Sequence, residues 1–182
     1  MPTIFSHPAV PIMIALALGG RVIPTRLLVA GVLASVLPDL DVIAFKLGIA
    51  YADQFGHRGA SHSLVFAALL GMLAMVFAKP MRASNTAAAG FVFIAAISHG
   101  LLDMLTTGGL GVALGWPISH ARLFFPVQVI QVSPLGFHTF FGVRGVTVLA
   151  SELLWVWLPL TLFGVAGFLI RRTRARRARP EA

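Results

Sequence analysis

Long apolar runs alternate with short polar breaks along this chain, and the runs set the expected elements. The first ends in Ile12-Met-Ile-Ala-Leu-Ala-Leu-Gly-Gly20 and is followed, not preceded, by a cation at Arg21. A secretory signal carries its positive charge ahead of the apolar stretch, so this run predicts a short uncleaved span. A second run goes from Leu27 to about Leu37 and continues past Pro38 to Phe45. Residues 46–60 are more polar and contain glycine, which predicts a loop. A third span covers 62–78, where Ser61 or Ser63 can cap the first turn and Lys79-Pro80 ends the helix. A fourth runs from about Thr86 to Leu105, and a last from about Val146 to Ile170. Between these two, Gly108-Gly109, Gly111, Gly115-Trp116-Pro117 and Ser133-Pro134-Leu-Gly136 cut residues 106–145 into pieces too short to cross a bilayer.

The pattern predicts an all-α membrane protein of about five transmembrane helices, with an irregular, partly helical cap at 106–145 on the outer face. One membrane-embedded domain then covers residues 1–170, and a basic tail covers 171–182. Composition agrees: 58% of residues are hydrophobic and 11% charged, where soluble domains carry about 25% charged residues. The absence of cysteine excludes disulfides, thiolate metal sites and cysteine nucleophiles.

Charge changes the picture only once it is located. Of the net +8, the tail from Arg171 to Ala182 supplies +5, leaving +3 for the body. A basic run after an apolar span predicts a cytoplasmic stop-transfer and headgroup anchor, and no nucleic-acid partner is expected. With the tail cytoplasmic, ten of the fourteen basic residues fall inside and Lys46, Arg58, Arg122 and Arg144 fall outside. The expected location is therefore a bacterial-type inner membrane, with several passes, the N-terminus on the outer face and the C-terminus in the cytoplasm.

That orientation gathers the ionisable residues. Counted from the cytoplasmic ends of their spans, His7, Asp39, Asp41, His62, His99, Asp103 and Glu152 lie about 14 to 19 residues up, which is roughly 20–28 Å above the inner face. Separate helices thus deliver acids and imidazoles to one outer-leaflet level. His99 and Asp103 are spaced i, i+4 and share a helix face. Asp39 and Asp41 cannot both point the same way, so one is expected to ligate and the other to orient a histidine. The candidate metal ligands are His7, Asp39, Asp41, His57, His62, His99 and Asp103. A nitrogen and oxygen donor set suits zinc, or manganese or iron where carboxylates predominate. Arg58 is the candidate for binding an anionic group, with Asp41 and Glu152 as further catalytic candidates; Glu152 is equally readable as a charge near a helix end. His120, His138, Arg122 and Arg144 are expected to be structural or interfacial.

The motifs Pro38-Asp39-Leu-Asp41, His57-Arg58-Gly-Ala-Ser61-His62-Ser63 and Ser98-His99-Gly-Leu-Leu-Asp103 resemble those of inner-membrane metal-dependent hydrolases of the YdjM/YbcI type, as do Trp116-Pro117-Ile-Ser119, Ser133-Pro134-Leu-Gly136 and Ser151-Glu152-Leu-Leu-Trp155. Ser61 stands where that family usually has threonine. A more distant similarity is to zinc-dependent phospholipases C, which also order an early His, an Asp, a His and then His-x-x-x-Asp. The chain lacks their leading tryptophan and later His-x-x-x-Glu, so the resemblance implies one or two metals rather than three. The expected function is hydrolysis of a phosphoester or ester in a lipid or lipid-linked substrate by metal-activated water. The alternative is a non-catalytic metal-binding or metal-transporting membrane protein.

Overall fold

The computed structural model describes residues 1–133 and 142–178, and within them every regular element is helical. α1 (Ala9–Leu18) is followed by α2 (Thr25–Val36), a 3-10 segment (Leu37–Val42) and α3 (Ile43–Lys46). A loop with a 3-10 turn at Ala60–His62 leads into α4 (Leu64–Val76) and then α5 (Asn85–Met104). After the cap come α6 (Val143–Glu152), a π turn (Leu153–Trp157) and α7 (Leu158–Arg177).

Among the described residues, three continuous helical stretches are long and apolar enough to cross a bilayer: Thr25–Lys46, Asn85–Met104 and Val143–Arg177. The other two apolar helices, α1 and α4, have 10 and 13 residues, short of the roughly 20 that a bilayer crossing needs. Their flanking apolar residues are spent in turns: Pro8 opens α1, and Ala78 to Arg82 form tight turns after α4. Helix starts follow side-chain chemistry. Ser63 Oγ accepts the Phe66 amide at the start of α4, and Ser84 Oγ accepts the Ala87 amide at the start of α5.

α5 is the central element, packed against α4 on one side and α2 on the other, while α1 packs against α7. The core between α2, α4 and α5 is built largely from small residues, including Ala34, Ala67, Ala74, Ala88 and Ala96, with Leu27 and Phe91 between them. Small side chains let helices approach closely where lipid removes the usual hydrophobic driving force. Gly167 on α7 makes the same allowance, since a Cβ there would lie 2.6 Å from the Ala17 Cβ of α1. The opposite flank of α7 presents Leu158, Leu162, Phe163, Leu169 and Ile170 outward.

The last helix does not stop where the apolar run ends. It continues through Arg171, Arg172, Arg174, Arg176 and Arg177. Alanine and arginine are both strong helix formers, and cations are favourable at a helix C-terminus. Arg171 turns back over the Phe168 ring and donates to the Leu16 carbonyl.

The cap lacks regular helix over residues 105–133 and carries two isolated bridges, Thr106 with Ile130 and Val112 with Leu123. It is tied down from below. Arg122 donates to the carbonyls of His57, Tyr51 and Asp53, and the Leu64 amide donates to Leu114. His138 lies outside the described residues.

Candidate metal centre

Four elements meet at the C-terminal end of α5. From α5 itself come His99 and Asp103, both fully buried. Pro38 opens the 3-10 segment after α2, and the changed twist turns Asp39 inward, leaving the Asp41 side chain at the margin with 8% exposed. The 3-10 turn before α4 supplies His62, and the irregular turn before α1 supplies His7. Gly100 permits this convergence: a Cβ there would lie 3.0 Å from the His62 carbonyl oxygen, so α5 can pass directly behind the turn.

Asp39, His62, His99 and Asp103 each offer one ligand atom, and the four atoms lie within 4.8 Å of one another. The two imidazoles are oriented from behind. His99 Nδ1 lies 2.7 Å from the Ser35 carbonyl, which can only accept, so Nδ1 carries the hydrogen and Nε2 a lone pair. His62 Nδ1 lies 3.2 Å from Asp41 Oδ2 and 3.0 Å from Ser61 Oγ. In the neutral ring, with its hydrogen on Nδ1 facing that carboxylate, Nε2 of His62 is also a lone pair. The two Nε2 atoms are 3.0 Å apart. Two facing lone pairs repel unless a proton or a cation stands between them.

The carboxylates fit the same conclusion. Among the described residues, both oxygens of Asp39, both oxygens of Asp103 and both ring nitrogens of His7 are buried without a hydrogen-bond partner. Burying such groups unpaired costs several kcal/mol each, and much more for a charge. A divalent cation would satisfy them. Arg58 offers partial compensation, with Nε 2.9 Å from Asp103 Oδ2, though not aligned as a hydrogen bond.

The oxygens are shared out in a regular way. Asp39 Oδ1 is 3.4 Å from His99 Nε2, while its Oδ2 is 3.7 Å from His7 Nε2. Asp103 Oδ2 is 3.4 Å from His62 Nε2, while its Oδ1 is 4.0 Å from His7 Nε2. His7 stacks on His99 with ring centroids 3.7 Å apart. Each carboxylate therefore turns one oxygen toward the His62/His99 pair and the other toward His7.

Three further candidates stand outside the four-residue group, for visible reasons. His57 turns Nδ1 to Asp41 Oδ1 at 2.5 Å, and its ring centroid is 5.9 Å from that of His62. Asp41 is occupied as an organiser: besides His57 and His62, it accepts the Arg58 amide and the Ser61 hydroxyl. Glu152 is buried in a separate place, receiving the Thr3 amide, the Thr3 hydroxyl and the Ser6 hydroxyl.

Arg58 is fully buried, and its backbone has φ near +61°, a conformation that L-residues rarely adopt. Its NH1 donates to the Gly108 carbonyl and its NH2 to Thr106 Oγ1. The guanidinium thus links Asp103 to the cap from within the protein. Ser35, Thr106, Thr3 and Ser6 hold the site from outside. Hydroxyls among apolar residues are the only sequence signal for Thr106, Thr3 and Ser6 and distinguish no role, while Ser35 acts through its backbone carbonyl, which no side chain announces.

The chain matches the YdjM inner membrane protein family over residues 1–175. It is 48% identical over 160 residues to the inner membrane protein YbcI of Escherichia coli (strain K12), covering 87% of this chain and 92% of that protein. It therefore belongs to the YdjM family, and with its several apolar helices it is a multi-pass inner-membrane protein. No solved structure matches it.

Proposed function

We propose that this protein is a membrane-embedded, metal-dependent hydrolase acting on a phosphoester or ester of a lipid or lipid-linked molecule. The observation that carries this is the pair of Nε2 lone pairs on His62 and His99, 3.0 Å apart beside two carboxylates that have no hydrogen-bond partner. A divalent cation would satisfy all of these atoms together.

Asp39, His62, His99 and Asp103 would hold the first ion, and their two nitrogens and two oxygens suit zinc. His7 with the outer oxygens of Asp39 and Asp103 would hold a second. Bound there, such ions supply Lewis acidity that lowers the proton affinity of water and polarises an ester or phosphoryl oxygen.

The other residues have roles fitted to their contacts. Asp41 fixes the tautomer and direction of His62 and holds the 57–62 turn together. His57, with Nδ1 held by Asp41, keeps Nε2 as its proton-transfer atom beside the centre. Arg58 balances the charge on Asp103 and ties it to the cap.

A lipid substrate is supported by the setting. The centre lies at the ends of apolar helices, and an apolar groove of about 670 Å³ runs along the π turn, whose Trp157 reaches Ser6 beside His7. Ala150, Leu153, Leu154, Trp157, Leu158 and Thr161 line this groove, where an acyl chain can lie while the headgroup reaches the centre. We place the centre on the outer face and the arginine-rich end of α7 in the cytoplasm, because that orientation puts most of the basic residues inside.

The test is turnover of defined phospholipids by purified protein in lipid nanodiscs, before and after chelation and after zinc is returned. Hydrolysis should vanish with the metal, return with it, and be absent in Asp103→Asn. Turnover that survives chelation would exclude the mechanism. Zinc flux into sealed liposomes without hydrolysis would favour transport instead.

A further inference from the structure

We infer that Glu152 and Trp157, at the two ends of the π turn, are positioning residues that hold His7 against the centre. The inference rests on the metal assignment above and concerns the half of the site that faces His7.

His7 lies in an irregular run of turns, residues 4–8, with no continuous helical ladder to hold its ring. Side chains from the opposite end of the chain do so instead. Glu152 Oε1 accepts the Thr3 amide at 2.5 Å, and Oε2 accepts the Thr3 and Ser6 hydroxyls, each at 2.6 Å. Trp157 Nε1 donates to Ser6 Oγ at 3.1 Å. The Ser6 hydroxyl therefore gives its hydrogen to Glu152 and takes one from Trp157, so its direction is fixed from both sides. Ser6 is the residue directly before His7.

The π turn explains how one helix supplies both partners. Glu152 and Trp157 are five residues apart. In an α-helix that spacing separates two side chains by about 140° around the axis. The wider i→i+5 turn over Leu153–Trp157 brings them toward one face, and such turns recur at functional sites. Between them Val156 is buried and packs with Ala9, which seats the start of α1 on the same surface. A carboxylate at 2% exposure with three donors is a costly feature to retain for helix packing alone. Holding a ligand-bearing turn gives it a purpose.

The experiment is zinc stoichiometry and competition affinity in full-length protein in nanodiscs, together with hydrogen exchange of the peptide covering residues 3–10. The wild type should bind two zinc ions. Glu152→Ala should lose one and keep the other, with faster exchange in that peptide. Trp157→Phe, which removes the donor and keeps an aromatic, though smaller, side chain, should weaken the second zinc about 10- to 100-fold, the range for losing an outer-shell partner. Glu152→Gln, which keeps an acceptor for the Thr3 amide, should restore part of the loss. A merely structural role would lower the melting temperature of all three variants without separating the two ions. Two ions bound at unchanged affinity in Trp157→Phe, with unchanged exchange at residues 3–10, would overturn the inference even if Glu152→Ala failed to fold. A wild type that binds no zinc would instead refute the metal assignment, while the exchange measurement would still report whether Glu152 and Trp157 hold the turn.

Discussion

Arg58 Nε stands 2.9 Å from Asp103 Oδ2, joining the loop before α4 to the C-terminal end of α5 with both side chains fully buried. The same guanidinium reaches Thr106 and Gly108, so it ties Asp103 to the cap. Removing one partner of a buried ion pair strands the other, at a cost of about 3–5 kcal/mol. Arg58→Ala should therefore unfold far more easily in detergent, as measured by thermal or chemical denaturation. Arg58→Lys should not rescue it, because an ammonium cannot serve three separated acceptors with the planar fork of a guanidinium.

Metal removal should destabilise the protein. An ion that binds only the folded state stabilises it by about 2.7 kcal/mol at a hundredfold excess over Kd. Chelation should lower the melting temperature, and zinc should restore it. His62→Ala and His99→Ala should bind one zinc fewer and show a smaller zinc response, since each deletes one of the two nitrogens that face each other. Unchanged zinc stoichiometry with an undiminished shift in His99→Ala would place the first ion elsewhere.

Asp41→Asn should weaken metal binding by about 10- to 100-fold although Asp41 stands outside the ligand group. The Asp41 carboxylate meets His57, the Arg58 amide, Ser61 and His62 together. An asparagine amide has one oxygen where the carboxylate has two, so it cannot accept from all of them. Competition titration with a chromophoric chelator measures the change.

Gly100→Ala tests the packing rather than the chemistry. The new Cβ would meet the His62 carbonyl at 3.0 Å, forcing the 60–62 turn to move by a few tenths of an ångström. Overpacking of this kind costs about 1–3 kcal/mol. Zinc affinity should fall although every ligand is intact, and unchanged affinity would show that the turn yields without moving His62.

The order of apolar runs and breaks was enough to place the helices, because burial periodicity and length are local properties of the chain. It overstated two of them. The expected spans covered residues 1–20 and 62–78, yet α1 and α4 are only 10 and 13 residues long. Hydropathy does not record where Pro8 or Lys79-Pro80 turn the backbone aside. The last helix was understated for the complementary reason, as charge ends a hydropathy window without ending a helix at Arg171.

For the site, the sequence by itself determined that His99 and Asp103 share a face, since the i, i+4 spacing is a consequence of helical geometry. It also determined that two imidazoles, a guanidinium and a hydroxyl crowd the 57–62 stretch. Only the tertiary structure decided which atom meets which. It set Asp39 among the imidazoles and Asp41 behind them, enclosed Arg58 between Asp103 and the cap, and joined Glu152 to Thr3 across 149 residues of chain. Those pairings depend on how α1, α2, α5 and α6 are packed and rotated against one another. That information lies in the fit of whole helix surfaces, which no local spacing encodes.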